Sequence, residues 1–194
     1  MKLPLVAAAM MALSAPSQAA LFNFTGTITN HSDVVQVSFT TYADATDVRV
    51  WTDSFKSGLN FDPITALWRA DGTRLGENDD NASIDPATQT IYDSGFSLPF
   101  LAAGSYLFTI AAYNNWALGT LLSDGFTFDN QTPIPIGEWN QPANGTGKGN
   151  VWSVWLDGVD VASVPGNTVP EPSVLALLAV GALGGLAMRR RKAG

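Results

Sequence analysis

The chain has 194 residues, 46% of them hydrophobic, and a formal charge of −7 at pH 7. It has no cysteine and a single histidine, which excludes a disulfide scaffold, thiol catalysis and zinc sites built on Cys or paired His. The charge is unevenly spread: residues 20–169 hold 5 cations against 16 acids, a formal −11. A segment of that sign repels nucleic acid and anionic lipid and attracts divalent cations.

Residues 1–19 read as an export leader. Lys2 supplies the positive start, residues 3–13 an apolar stretch, and Ser17-Gln18-Ala19 a small-x-small site for signal peptidase. Cleavage is expected after Ala19, with Ala20 the alternative. Beyond it, short runs of β-branched and aromatic residues alternate with Gly, Asn, Asp and Pro. Strands are expected over 21–28, 33–42, 47–55, 64–69, 96–101, 106–113, 125–129 and 151–156. In the second, Val35, Val37 and Phe39 share one face and Gln36, Ser38 and Thr40 the other. Asp71-Gly72, Ser123-Asp124-Gly125, Asn144-Gly145 and Asp157-Gly158 supply turns. Nothing in this region sustains a 3.6-residue apolar period. The expected fold is all-β: one antiparallel β-sandwich of about eight strands over residues 20–163. Residues 131–150, with three prolines and Gly145, Gly147 and Gly149, are expected to form a long loop at one end of it.

Residues 164–172 read as a linker that ends in Val169-Pro170-Glu171-Pro172. Residues 173–188 are 16 positions without a charge. As a helix they would reach roughly 24 Å at about 1.5 Å per residue, against a hydrocarbon core about 30 Å thick. Gly181, Gly184 and Gly185 weaken that helix further. Residues 189–194 carry Arg189, Arg190, Arg191 and Lys192, a membrane stop held on the cytoplasmic side by the positive-inside rule. A Pro-Glu-Pro, an apolar run and an Arg cluster in this order resemble the sorting signal of the PEP-CTERM proteins of Gram-negative bacteria. The resemblance implies export, a membrane-tethered precursor facing the periplasm and handling by an exosortase. It also implies delivery to the outer surface or an exopolysaccharide matrix. A plain C-terminal membrane anchor is the other reading of the same residues, and removal of the tail stays open.

A second resemblance lies within the domain. Leu67-Trp68-Arg69-Ala70-Asp71-Gly72-Thr73, followed by Asn78-Asp79-Asp80, is similar to a strand–turn–strand pattern of an uncharacterised PEP-CTERM-associated family. More loosely it is similar to bacterial pre-peptidase C-terminal domains. Leu101-Ala102-Ala103-Gly104-Ser105-Tyr106 and Leu122-Ser123-Asp124-Gly125-Phe126 extend it over most of residues 21–162. It implies a small jelly-roll-like sandwich without catalysis of its own. Tyr113-Asn114-Asn115 departs from a pattern that often has Asp in the middle.

Candidate chemistry begins with the acidic stretch 77–85. Calcium takes six to eight oxygens, and Asp79, Asn81, Ser83 and Asp85 recur at alternate positions of a turn. Ile84 stands where an EF-hand requires Gly and Thr90 where it requires Glu, so this is not an EF-hand. A non-EF calcium site would draw on Asp71, Asp79, Asp80 and Asp85. The alternative is a solvated turn whose Asx side chains cap their own backbone. His31, in Asn30-His31-Ser32-Asp33, is expected in a turn; no G-x-S-x-G stretch supplies a nucleophile. Glycoside hydrolysis needs two carboxyls flanking a cleft, and 16 acids make a chance pair easy. Of six tryptophans, Trp116 and Trp139 fall in or beside loops, where exposed rings could stack on sugars. The expected protein is non-catalytic and bridges matrix polymers through divalent cations. The alternative is a carbohydrate-binding module using loop tryptophans, and a hydrolase stands third.

Overall fold

Nine strands form in the computed structural model, which describes residues 20–165. They are β1 (Ala20–Thr27), β2 (Val34–Thr41), β3 (Ala45–Thr52), β4 (Pro63–Arg69) and β5 (Arg74–Asn78), then β6 (Gly95–Leu101), β7 (Gly104–Ala112), β8 (Val151–Val159) and β9 (Val161–Ser163). One sheet has four strands in the order β1-β8-β3-β6, the other five in the order β5-β4-β7-β2-β9. All pairings are antiparallel. This is the β-sandwich that the alternating pattern predicts. The leader 1–19, the sorting motif 169–172, the apolar run 173–188 and the basic tail 189–194 lie outside the described residues. Among the described residues no helix is long and apolar enough to cross a membrane.

Period-two alternation makes the core. Val37 and Phe39 on β2, Val48 and Val50 on β3, Phe108 and Ile110 on β7, and Val154 and Leu156 on β8 are each at most 2% exposed. They meet in one cluster between the sheets. Phe96 of β6 sets its ring edge-on to Phe108 across the layers, with centroids 6.3 Å apart.

The outer faces are covered too. Leu67 points into the main core, whereas Ala66 and Trp68 join Ala117 and Phe126 in a second cluster. Phe126 meets Trp68 edge-on at 6.2 Å, and Trp68 Nε1 donates to Thr109 Oγ1 at 3.0 Å. Residues 125–129, expected as a strand, are therefore a turn that seals the five-stranded sheet; their one ladder contact is the bridge Ala117↔Phe126. On the other sheet Trp51 stacks on Trp155 at 6.2 Å and donates to Thr88 Oγ1 at 3.3 Å, which fixes the segment after β5 over that face. Trp152 is buried and Trp155 half-buried, as their odd spacing requires.

Two strands were not visible in the pattern. β9 has only three residues and pairs with the edge of β2. β5, Arg74-Leu75-Gly76-Glu77-Asn78, lacks β-branched residues and forms because the Asp71-Gly72 turn returns the chain along β4. Its register runs Thr65↔Asn78, Ala66↔Glu77, Leu67↔Gly76, then Trp68↔Arg74. Leu75 is thus the extra residue of a β-bulge, which turns it to the same side as Gly76. At the Asn78 end the two sheets are tied: Asn78 Nδ2 donates to Gly95 O at 2.8 Å and Ser94 Oγ to Asn78 O at 2.8 Å.

Without disulfides the sandwich depends on this core. Phe108→Ala is expected to lower stability by about 3–5 kcal/mol in urea unfolding, with an unchanged slope. A loss below 1 kcal/mol would contradict an inter-sheet position for Phe108.

Candidate metal centre

The antiparallel pairing of β4 with β5 has a chemical result at their far end. Asp62 lies just before β4 and Asp79 and Asp80 just after β5. Continuing the register beyond Thr65↔Asn78 brings these positions side by side. Carboxylate oxygens from all three lie within 4.8 Å of one another. Two ligands on opposite sides of a calcium ion, at about 2.4 Å each, would be separated by about that distance.

Burial grades outward. Asp62 is 3% exposed, Asp79 is half-buried and Asp80 is exposed. Asp62 Oδ1 and Asp79 Oδ1 are buried with no hydrogen-bond partner. Buried carboxylates elsewhere in this fold are not left so. Asp93, fully buried, receives Phe55 N and Thr52 Oγ1 on one oxygen and Thr90 N and Thr90 Oγ1 on the other, at 2.8–3.1 Å. An unpaired buried acceptor costs about 1–3 kcal/mol, more if charged. A carboxylate cage without donors therefore fits a cation.

The electrostatics follow. Burial first, and then the charges of Asp79, Asp80 and Asp93, push the Asp62 carboxyl from 3.8 up to about 8. Burial and the neighbouring Asp80 raise Asp79 to about 6, and burial raises Asp80. An all-oxygen set of this kind suits hard cations such as Ca²⁺ or Mg²⁺ rather than zinc. A bound cation would favour the ionised carboxylates that burial and mutual repulsion resist.

The long loop 131–150 is fastened to the same segment. Gln141 Oε1 accepts the Asp62 N–H at 3.3 Å, Asn144 Nδ2 donates to Asn60 O at 2.9 Å, and Phe61 N donates to Gly149 O at 3.1 Å. Gln141 Nε2 and Asn144 Oδ1 are also buried without partners. The Tyr113 N–H donates to Asp62 O at 2.8 Å, so the chain after β7 borders the centre as well.

Of the four acids expected to bind calcium, the fold brings together Asp79 and Asp80. Asp71 does not join them. It sits in the turn at the opposite end of the β4–β5 hairpin, its Oδ1 accepts the Thr73 N–H at 2.9 Å, and that bond holds its carboxyl below the ordinary range. Asp85 is spent on its own turn, accepting Thr88 Oγ1 at 2.7 Å. The alternating ladder does not converge either: Asn81 Oδ1 accepts Ser83 Oγ at 2.6 Å, and Ile84 is buried. Asp62 was missed because it is 17 residues from Asp79. Counting outward equally from Asp71-Gly72 would have found it, since residues near 62 and 80 must then meet.

Trp139 is not an exposed sugar platform. It is 9% exposed and packs against His31 at 5.4 Å and Phe128 at 5.8 Å. Trp116 is half-buried, edge-on to Tyr113 at 6.1 Å. His31 lies in the expected turn but is 1% exposed; its Nδ1 accepts the Ile134 N–H and its Nε2 faces Gln131 Oε1. The fold thus uses His31 as a structural strut for the loop.

Fold and sequence together define an exported β-sandwich with a C-terminal sorting signal. That signal is the PEP-CTERM protein-sorting motif, matched over residues 168–192. It spans Val169-Pro170-Glu171-Pro172, the apolar run and Arg189 to Lys192. The motif marks the chain for handling by an exosortase and sorting to the cell envelope or surface. No curated protein matches the chain.

Because Asp62 and Asp79 are raised, the folded chain binds their protons more tightly than the unfolded chain does. In the absence of cations this contribution is full below about pH 4 and is lost as pH rises through about 6 for Asp79 and about 8 for Asp62. In EDTA, Asp62→Asn is expected to be roughly 1–3 kcal/mol more stable than the parent at pH 8 and equal to it near pH 4. A parent whose stability rises steadily from pH 4 to pH 8 in EDTA would refute the buried position of Asp62.

Proposed function

We propose that this protein is a non-catalytic surface or exopolysaccharide-matrix component whose sandwich holds a divalent cation, calcium before magnesium, at Asp62, Asp79 and Asp80. The single observation that supports this is the convergence of three carboxylates with two buried, unpartnered oxygens. The residues would hold the ion as follows. Asp62 forms the floor, Asp79 the wall, and Asp80 stands at the solvent edge. Three carboxylates supply at most six oxygens, and calcium accepts up to eight. The remaining positions face outward, where water or a carboxylate of an acidic polysaccharide completes the shell. A domain of formal charge −11 repels such a polymer, so the cation is what makes the contact attractive.

The tight spacing speaks against hydrolysis. Oxygens within 4.8 Å are well inside the roughly 6.5–9.5 Å of an inverting glycosidase and somewhat closer than the roughly 5–5.5 Å of a retaining one. The loop-tryptophan reading keeps only the half-buried Trp116, since Trp139 is buried.

Calcium at about 100 times its dissociation constant is expected to stabilise the protein by about 2.7 kcal/mol, read as a rise in Tm. Asp62→Asn and Asp79→Asn should abolish the rise, and Asp71→Asn should keep it. Retention of anionic polysaccharide should fall with chelator in the parent and already be low in Asp79→Asn. An unchanged Tm at millimolar calcium removes the site; a normal Tm rise with chelator-independent retention removes only the bridging role.

A further inference from the structure

At the end of the β4–β5 hairpin remote from the carboxylates, the two sheets part. The gap is a half-open cleft of about 350 Å³ between the edge strands β5 and β6. Its walls are Leu67, Leu75, Phe96, Leu98 and Phe100, with the Tyr106 ring behind them and Arg69 at the rim. Leu75 and Phe100 are 37% and 60% exposed, large apolar side chains that a closed sandwich would cover. The volume falls within the range of small-ligand pockets.

Three features shape what it can hold. First, Gly76 leaves the space open, because a Cβ there would stand 3.0 Å from the Phe96 ring. The bulge at Leu75 adds an apolar side chain to the same wall. Second, Arg69 is the cation without an ion pair or side-chain hydrogen bond among the described residues. Arg49 pairs with Asp157, Lys56 with Asp53 and Arg74 with Glu77, and Lys148 Nζ donates to Gly58 O. Asp71 lies near enough to Arg69 to feel its charge. The Tyr106 hydroxyl is already given to Ala102 O at 2.8 Å, so it presents its ring rather than a donor. Third, neither edge invites an added strand. β5 is broken by its bulge and β6 contains Pro99, which has no N–H.

We propose that this cleft binds a monomeric amphipathic anion, with its alkyl chain between Leu75 and Phe100 and its single anionic head on Arg69. The net charge does not forbid it, since fields from distant carboxylates are screened within about 8 Å at physiological salt. The site is independent of the cation centre and does not rest on the proposed matrix role.

The test uses calorimetry on the full exported chain with decanoate, decan-1-ol and decyltrimethylammonium below their micelle concentrations, and with phosphatidylglycerol vesicles. Decanoate should saturate at one per chain and bind more tightly than decyltrimethylammonium. Arg69→Gln should weaken decanoate about ten-fold and leave decan-1-ol unchanged. Leu75→Trp, at an exposed edge position, should eliminate both while the urea midpoint stays the same. Equal affinity for the cationic amphiphile, or decanoate binding untouched by both variants, overturns the proposal. So does absence of saturable binding, as when residues 173–188 or a second copy fill the cleft. Binding to vesicles without binding to monomeric decanoate overturns it too.

Discussion

The pairing of β4 with β5 governs both ends of the molecule's chemistry. Its register places Asp62 beside Asp79 and Asp80, where three carboxylates crowd into one corner that runs from buried to exposed. Its single bulge puts Leu75 beside Gly76 at the other end and leaves a gap where the sheets would otherwise close. Between these extremes, Asn78 and Ser94 tie the two edge strands together. A slip of one residue would exchange the faces of β5, expose its inward positions and separate the acids. The Trp68 face guards against that slip. Arg74 and Glu77 pair beside Trp68, and Glu77 accepts the Ala117 N–H at 2.7 Å, so the covering segment reads the register directly.

The fold was largely legible in the sequence because its strands are short runs of β-branched and aromatic residues between turn residues, and the clearest of them buries one face only. Val35-Gln36-Val37-Ser38-Phe39 announces β2 by alternation alone. By contrast β7 is buried on both faces from Phe108 to Ala112 and β8 from Trp152 to Val154, and these are read from their β-branched and aromatic residues. Where both faces are covered, alternation fails as a guide. β4 is apolar on both sides, and residues 125–129 look like a strand because Phe126 and Phe128 are anchors for a covering turn. β5 has no propensity signal; its partner imposes its conformation. The candidate site was half legible for a related reason. Asp79 and Asp80 stood out as a local acidic run, but Asp62 joins them only through a long-range pairing. Asp71 and Asp85 carry the same chemistry as the ligand candidates and differ in having backbone or hydroxyl donors at hand.

Two buried carboxylates show how this protein separates structure from chemistry. Asp93 is surrounded by donors and holds the segment between β5 and β6 against β3. Asp62, about as deeply buried, has none on its side chain and carries a proton affinity near neutrality. A fold that satisfies one and leaves the other bare holds a proton at that corner, and a cation bound there would take the proton's place. The exported habitat implied by the sorting motif is where such a charge would come from solution rather than from a side chain.

The strand-free stretch from Tyr113 to Asn150 is the longest in the domain, yet it is never far from an anchor. Asn115, Ala117, Phe126, Phe128, Ile136, Trp139 and Gln141 are all buried along it. Proteases bind their substrates as extended strands, and the runs 118–125 and 129–135 between these anchors carry no buried side chain. With no cysteine to cross-link it, this stretch depends on those anchors, and nicking outside the cell would begin in the exposed runs between them.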